Sequence, residues 1–218
     1  MRLRHTYLLP AAALCLTIAS ASPLAGQLAS RTAEEWIKSL DGTTRVATLR
    51  IEEVVAAMQL QPGQIVADIG AGSGLLSVPA AKAVGPRGRV FAVEIDAGFF
   101  SAIRKRADEN GVANIQPVLG SFTDPKLPVT TVDVAFFHDV LHHVENRREY
   151  LKTLARYLSP AGRIFVVDFE GGKGPHAQQP ELQVSREQLA TWMAAAGFTQ
   201  IAEAKLFADK YVLTFARK

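Results

Sequence analysis

Residues 64–74 read Gln-Ile-Val-Ala-Asp-Ile-Gly-Ala-Gly-Ser-Gly, and this stretch decides the fold. The run from Gln64 to Ile69 is typical of a buried strand, and a helix is predicted directly afterwards, from about Ser73 to Val84. Glycines between a strand and a helix let the backbone approach a ligand, and the amides at the helix start face it. The stretch therefore predicts an α/β domain that binds a nucleotide-type cofactor.

Strand-like and helix-like segments alternate around this loop, which predicts a mainly parallel sheet with helices on both faces. An amphipathic helix precedes the loop, with apolar residues at helical spacing from Ala47 to Met58. A capping-box pair, Ser185 and Gln188, predicts the start of the last helix. The other predicted helices cover residues 97–109 and about 151–158, and predicted strands follow the loop at Arg89–Glu94, Ile115–Leu119, Val132–Phe137 and Arg163–Phe169.

Two further strands, Phe198 to Lys205 and Lys210 to Ala216, close the chain. The turn between them is too short for a crossover helix, so they are expected to pair antiparallel. The expected fold is a doubly wound, seven-stranded sheet that ends in an antiparallel hairpin.

The first 26 residues are typical of a secretory signal peptide. Arg2 and Arg4 precede an apolar run from Tyr7 to Ile18, and small residues follow at 19–21. An uncleaved membrane anchor is the alternative, so the expected location is exported or membrane-attached, with a cytoplasmic location still open. Residues 27–44 are predicted to form a helical extension, and residues 45–218 the cofactor-binding domain.

Charge and cysteine content exclude several kinds of function. The formal net charge is +3, and it falls to +1 if cleavage after Ala21 removes Arg2 and Arg4. Without a basic excess, no nucleic-acid partner is expected. The single cysteine, Cys15, lies in the signal-like segment. The domain therefore has no disulfide, no cysteine nucleophile and no cysteine-ligated zinc, and no metal site is predicted.

The glycine spacing indicates which cofactor is bound. A dinucleotide fingerprint counted from Gly70 needs a small residue at position 75, where this chain has Leu75. The loop instead reads D-x-G-x-G-x-G and resembles the first motif of the class I S-adenosylmethionine-dependent methyltransferases, which have a Rossmann-like fold. By that resemblance, the residues around the cofactor are Asp68, Gly70, Ala71, Gly72 and Gly74.

Glu94 is the strongest single candidate for cofactor binding. It ends the second predicted strand, twenty residues after Gly74. A carboxylate at that place can accept hydrogen bonds from both hydroxyls of a ribose. Ile95 would then pack on the adenine. Two alternatives remain, namely that Asp96 takes this role or that Glu94 is a surface carboxylate.

In the same family the segment after the third strand contacts the adenine edge, and residues 120–124 occupy that place here. Many relatives have an acidic residue where this chain has Ser121. This departure leaves the adenine contact to the backbone of Phe122, and Ser121 is kept as a candidate cofactor neighbour. Asp124 is either a further contact or part of a turn that Pro125 begins.

The segment that follows Phe137 resembles the one that flanks the methionine end of the cofactor in small-molecule methyltransferases. His138, Asp139 and His142 are the candidate catalytic residues, and His138 is also a candidate cofactor contact. An imidazole can deprotonate an acceptor near neutral pH. A hydrogen-bonded structural role explains each histidine equally well, because class I enzymes often act by positioning alone.

Residues 158–163 resemble the L-x-P-G-G-x motif of the family, and the chain is most similar to small bacterial methyltransferases of unassigned substrate that carry D-V-x-H-H. The expected function is methyl transfer to a small-molecule or lipophilic acceptor, with the oligomeric state open. Two alternatives are kept: an exported, non-catalytic binding protein on the same fold, and a nicotinamide-dependent oxidoreductase.

Overall fold

A computed structural model describes residues 31–217. The predicted signal segment and Cys15 lie outside this range. Within the described range, no helix combines the length and the apolar character needed to cross a membrane.

Residues 31–217 contain seven helices, seven strands and three short 3₁₀ turns. The helices are α1 (Ala33–Leu40), α2 (Thr43–Thr48), α3 (Ile51–Ala57), α4 (Ser77–Val84), α5 (Phe100–Glu109), α6 (Arg147–Ala155) and α7 (Arg186–Ala195). The strands are β1 (Ile65–Ile69), β2 (Arg89–Glu94), β3 (Ile115–Leu119), β4 (Val132–His138), β5 (Leu158–Phe169), β6 (Phe198–Glu203) and β7 (Lys210–Arg217).

All seven strands form one sheet in the order β3-β2-β1-β4-β5-β7-β6. The first five strands run parallel, and β7 is inserted antiparallel between β5 and β6. The predicted α/β fold and its C-terminal antiparallel hairpin are therefore confirmed. Strand order reverses between β1 and β4, so their carboxyl ends open the crevice where such sheets bind ligands.

Neighbouring residues of the central strands pack into different cores, because successive side chains of a strand point to opposite faces. Phe137 and Val166 belong to a core that includes Leu151 of α6 and Leu189 of α7. Phe136 and Phe165 belong to another core, on which α3 and α4 pack. Burial on both faces explains the continuous apolar runs at 65–67 of β1, 134–137 of β4 and 164–167 of β5.

Three predicted helices differ from the observed ones, and one of them, predicted at about 151–158, is α6 at Arg147–Ala155, since Leu158 already belongs to β5. The predicted helix from Ala47 to Met58 is divided into α2 and α3, because Arg50 adopts a left-handed backbone conformation with φ of 48°. The helix predicted to begin at Ser73 begins at Ser77, since the residues before it form a turn.

The start of β5 also differs from the prediction. Residues 159–162 were expected to separate a helix from the strand, but they belong to β5 itself. The strand is irregular there, since Val132 pairs with Leu158 while Val134 pairs with Arg163. A Cβ at Gly162 would lie 2.9 Å from the carbonyl oxygen of Val132, so a glycine fits this bulge where a larger residue does not.

Candidate functional site

The glycine loop lies between the carboxyl ends of three strands. Gly70 follows β1, adopts φ of 73°, and donates a hydrogen bond to the carbonyl of Val93 at 2.9 Å. A Cβ at Gly70 would overlap the side chain of Val140, which follows β4. Gly74 closes the turn through a bond to the carbonyl of Ala71 at 2.9 Å. Glycine is therefore required at position 70 both by its backbone conformation and by space.

Glu94 lies at the end of β2 and is linked to this loop. Its Oε1 accepts a hydrogen bond from the amide of Gly72 at 2.6 Å, and its Oε2 accepts one from Ile95 at 3.1 Å. Burial raises the pKa of Glu94 to about 7, the charge of Asp96 acts in the same direction, and the two backbone bonds oppose it. A carboxylate offers about four lone-pair positions, so roughly two remain for the hydroxyls of a ligand.

Asp68 lies beneath the loop rather than on its surface. It is 3% exposed, and its Oδ2 accepts a hydrogen bond from the Ser77 hydroxyl at 2.6 Å. Burial raises the pKa of Asp68 to about 7, and the negative charge of Glu94 adds to the effect. Its direct contacts thus tie the end of β1 to the start of α4.

Helix α1 covers the glycine loop. Its apolar side packs on a cluster formed by Ala71, Ala92, Phe99 and Ile103. At its end, Asp41 accepts hydrogen bonds from Ser73 Oγ and, at 2.6 Å, from Arg106. The sequence predicts a helical extension at 27–44 but gives no indication of where it docks.

The loop after β3 runs beside Glu94, because the amide of Gly120 bonds to the Glu94 carbonyl at 2.9 Å. Ile95, Ser121 and Phe122, the predicted adenine neighbours, are each partly exposed here. Asp124 Oδ1 accepts hydrogen bonds from Tyr157 at 2.8 Å and Lys126 at 2.7 Å. These contacts agree with the interpretation of Asp124 as part of a turn rather than as a cofactor contact.

His138 and Asp139 lie at the end of β4, as predicted, and meet a residue that the sequence did not indicate. Asp139 Oδ2 accepts a hydrogen bond from Lys210 Nζ at 2.6 Å, and both side chains are at least nine-tenths buried. His138 Nδ1 lies 3.6 Å from the same oxygen. Burial lowers the pKa of His138, and the positive charges of Lys210 and Arg45 lower it further. The negative charge of Asp139 raises it, but the net effect favours the neutral imidazole.

Unused polar atoms mark this end of β4. Asp139 has φ of 56°, a conformation that is uncommon outside glycine and is often found at functional sites. Among the described residues, no partner reaches Asp139 Oδ1 or His138 Nε2, although both atoms are buried. A buried polar atom without a partner costs free energy, so both atoms are available to a ligand.

His142 is held by Asp168, which lies near the end of β5. Asp168 Oδ1 lies 2.6 Å from His142 Nδ1, and its Oδ2 accepts a hydrogen bond from the His142 amide at 3.1 Å. Because a carboxylate can only accept, the shared proton resides on Nδ1 and the lone pair on Nε2. The ring of His142 is thereby fixed in one orientation.

His142 forms a cluster with two further imidazoles, those of His143 and His176. The ring of His142 lies 4.2 Å from that of His143 and 5.2 Å from that of His176, and the last two are 5.0 Å apart, measured between centroids. His143 Nδ1 is buried without a partner among the described residues. Burial lowers the pKa of His143 to about 3, and the neighbouring His142 and His176 add to the effect. The His143 ring is therefore uncharged at neutral pH.

Sequence reasoning missed Asp168, Lys210, His143 and His176 as site residues. Asp168 had a signal, since it is the acidic residue near the carboxyl end of a predicted strand, as Glu94 is. Lys210 and His176 had none, because they lie 71 and 34 positions along the chain from Asp139 and His142. Only the sheet order brings them close.

Comparisons with known proteins agree with this arrangement. A family model described as a methyltransferase domain matches residues 67–166. The ubiquinone/menaquinone biosynthesis C-methyltransferase UbiE of Vibrio campbellii is 30% identical over 110 residues, which is 50% of this chain and 42% of that protein. UbiE of Ectopseudomonas mendocina is 32% identical over 117 residues, 53% of this chain and 46% of that protein. The matched segment spans less than half the length of these relatives.

Solved structures share the fold. A SAM-dependent methyltransferase from Aquifex aeolicus has a TM-score of 0.75 at 22% identity, with 86% of this chain and all of that chain covered (100%). The 1,6-didemethyltoxoflavin-N1-methyltransferase of Burkholderia thailandensis, solved with S-adenosylhomocysteine, has a TM-score of 0.64 at 24% identity, with 85% and 84% covered.

Proposed function

We propose that the chain is a class I S-adenosylmethionine-dependent methyltransferase, which its similarity to a methyltransferase domain and to named methyltransferases supports, and that it transfers a methyl group from that cofactor to a small, lipophilic acceptor. The observation that carries the proposal is the partly buried Glu94 carboxylate, which accepts a hydrogen bond from Gly72 of the glycine loop and retains lone pairs for a ribose. An acid at the end of β2 beside a glycine loop suits a nucleoside.

The residues of the crevice fit this cofactor. Gly70 and Gly72 bring backbone close to it, on a loop shaped by Asp68, Ala71 and Gly74. Glu94 would hold the ribose, while Ile95, Ser121 and Phe122 would line the adenine. When bound, S-adenosylmethionine supplies a methyl group that is already activated by the sulfonium. The protein therefore has to align the acceptor and exclude water.

The end of β4 supplies the acceptor side. Asp139 Oδ1 is available to orient a polar group of the acceptor. His138, held neutral by burial, can take a proton through Nε2 where the acceptor must lose one. The ion pair with Lys210 holds the Asp139 carboxylate in place. His142, the third catalytic candidate, is hydrogen-bonded to Asp168 and packs against the rings of His143 and His176.

Two aromatic rings flank Lys210, the residue that pairs with Asp139. Lys210 Nζ lies 4.6 Å from the centroid of Phe169 and 5.0 Å from that of Phe207. We infer that this apolar surrounding of the ion pair favours a lipophilic acceptor with a polar substituent. The matched relatives are named for ubiquinone and menaquinone biosynthesis, so quinone-type rings are the first class to test.

Export through the first 26 residues, or attachment to a membrane by them, stays a prediction. A non-catalytic binding protein on the same fold is the competing function. It gains weight from export, because the cofactor is made in the cytoplasm and would have to reach an exported domain.

The test is methyl transfer from S-adenosylmethionine labelled in its methyl group, with the full chain and a panel of phenols and quinols. We expect label in the organic phase, and slower transfer with unchanged cofactor affinity for His138→Gln when the acceptor is a phenol. Saturable cofactor binding with no transfer to any acceptor in the panel or in a whole-cell lipid extract would favour the binding protein.

A further inference from the structure

The three clustered histidines have the composition and spacing of a metal site. One ring nitrogen from each of His142, His143 and His176 lies within 4.8 Å of the other two. Hydrogen bonds already engage one nitrogen on two of the rings. Asp168 holds Nδ1 of His142, and Gln179 Oε1 accepts from Nδ1 of His176. Nε2 of both residues is thus left with its lone pair.

A second, independent observation concerns His143. Its Nδ1 is buried and has no partner within residues 31–217. A polar atom in that position costs free energy unless a ligand satisfies it. A metal ion bound among the three rings would satisfy it with one bond.

The hydrogen bond between Asp168 and His142 is of the kind that supports metal-bound histidines in other proteins. Such histidines usually donate their other N–H to a carboxylate, which fixes the ring and makes its metal-binding nitrogen more basic. Asp168 is 1% exposed and accepts in addition from the amide of Phe169 at 2.8 Å, so its own position is fixed. Its negative charge also acts on Arg147, the cation whose charge lowers the pKa of His143.

We propose that His142, His143 and His176 bind one divalent transition-metal ion, with Zn²⁺ the best fit. Three imidazole ligands suit zinc, copper, nickel and ferrous iron rather than magnesium or calcium, which prefer oxygen ligands. Zinc with three protein ligands keeps a fourth position open for water or substrate.

Only a small contraction is required. Zn–N bonds of about 2.0–2.1 Å place tetrahedral ligands roughly 3.3 Å apart, so the rings have to close by roughly 1.5 Å at most. His143 and His176 are both partly exposed, so an ion can enter from solvent. Ring rotations of the two can supply the movement.

The test uses the full chain without a histidine tag, stripped of metal by a chelator and titrated with Zn²⁺ against a chromophoric competitor. We expect about one Zn²⁺ per chain, and with Co²⁺ the visible spectrum of a tetrahedral site. His176→Gln is the main variant, because this side chain is partly exposed, and it should weaken binding at least about 100-fold. Asp168→Asn, which keeps the size of the side chain but weakens its hydrogen bond to His142, should weaken binding about 10- to 100-fold.

His138→Gln is the matched control, since His138 is a buried histidine at the same sheet edge but outside the cluster, and it should bind zinc as the wild type does. Equal affinity of the wild type and His176→Gln would overturn the proposal, as would equal losses in His176→Gln and His138→Gln. Binding is measured without cofactor or acceptor, so a failed metal site and a failed methyltransferase assay remain separate results.

Discussion

At the scale of single residues, Glu94 makes hydrogen bonds within the protein and is also the residue proposed to bind the cofactor. Its carboxylate accepts from Gly72 and Ile95 and would also hold the ribose. Glu94→Ala is expected to remove about 2–4 kcal/mol of binding free energy, which is about 30- to 1,000-fold in Kd. Calorimetric titration with S-adenosylhomocysteine measures this loss.

The same variant leaves the Gly72 amide without its acceptor, so the free energy of unfolding should fall by about 1–2 kcal/mol. Glu94→Gln keeps an acceptor for Gly72 and serves as the control for folding. Unchanged affinity in a folded Glu94→Ala protein would show that the ribose binds elsewhere.

Asp139 and Lys210 are a buried ion pair, and removal of one partner leaves the other charge uncompensated. Lys210→Met is expected to lower the free energy of unfolding by about 3–5 kcal/mol. The double variant Asp139→Asn/Lys210→Met should recover part of this, because no charge is then left alone. A double-mutant cycle by urea unfolding checks the coupling, and additive losses would argue against it.

Asp68 predicts a dependence of stability on pH. Its pKa is raised from 3.8 to about 7 in the folded chain, mainly by burial, so the folded chain holds a proton that the unfolded chain releases. The free energy of unfolding therefore falls as pH rises from about 4 to about 7, by at most about 4 kcal/mol. Glu94, with its pKa also at about 7, acts in the same direction.

Asp68→Asn keeps the acceptor for Ser77 but removes the ionisation. Compared with the wild type, it should lose less stability between pH 5 and pH 8 in urea unfolding. The same pH dependence in both proteins would mean that Asp68 is ionised in the folded chain without cost.

At the scale of elements, the position of α1 depends on Gly98, which lies in the 3₁₀ turn after β2 and against which Ala33 of α1 packs. A Cβ at Gly98 would lie 2.6 Å from the Cβ of Ala33, so one of the two elements would have to move. Gly98→Ala is expected to cost about 1–3 kcal/mol and to speed hydrogen exchange in residues 33–40. Gly171→Ala is the matched control, because a Cβ there meets nothing within 4 Å. Slow exchange in α1 of Gly98→Ala would contradict this view of the contact.

Local pattern predicted most elements because each carried its own signal. The apolar run and glycines at 64–74 fixed β1 and the turn, and Ser185 with Gln188 forms the capping box that starts α7. Two boundaries were wrong for reasons that lie outside local pattern. Arg50 divides α2 from α3 by a single left-handed residue, and Gly162 lies in a bulge forced by the neighbouring β4.

At the scale of the whole molecule, the candidate site is a product of sheet order. The position of Glu94 could be predicted, since spacing along one β-α-β unit specifies it. The contacts of Lys210 with Asp139 and of His176 with His142 could not, because they depend on β7 lying beside β5 and on the loop that follows β5. Where α1 docks is likewise a tertiary contact that amphipathicity alone leaves open.

The same topology sets the expected cofactor, and one measurement tests that claim most directly. It is the calorimetric titration of the full-length wild-type chain with S-adenosylhomocysteine and, separately, with NAD. We predict saturable binding of one S-adenosylhomocysteine per chain and no heat of binding for NAD, because Leu75 replaces the small residue that a dinucleotide loop needs. Binding of NAD in place of S-adenosylhomocysteine, or of neither by a folded chain, would contradict the account.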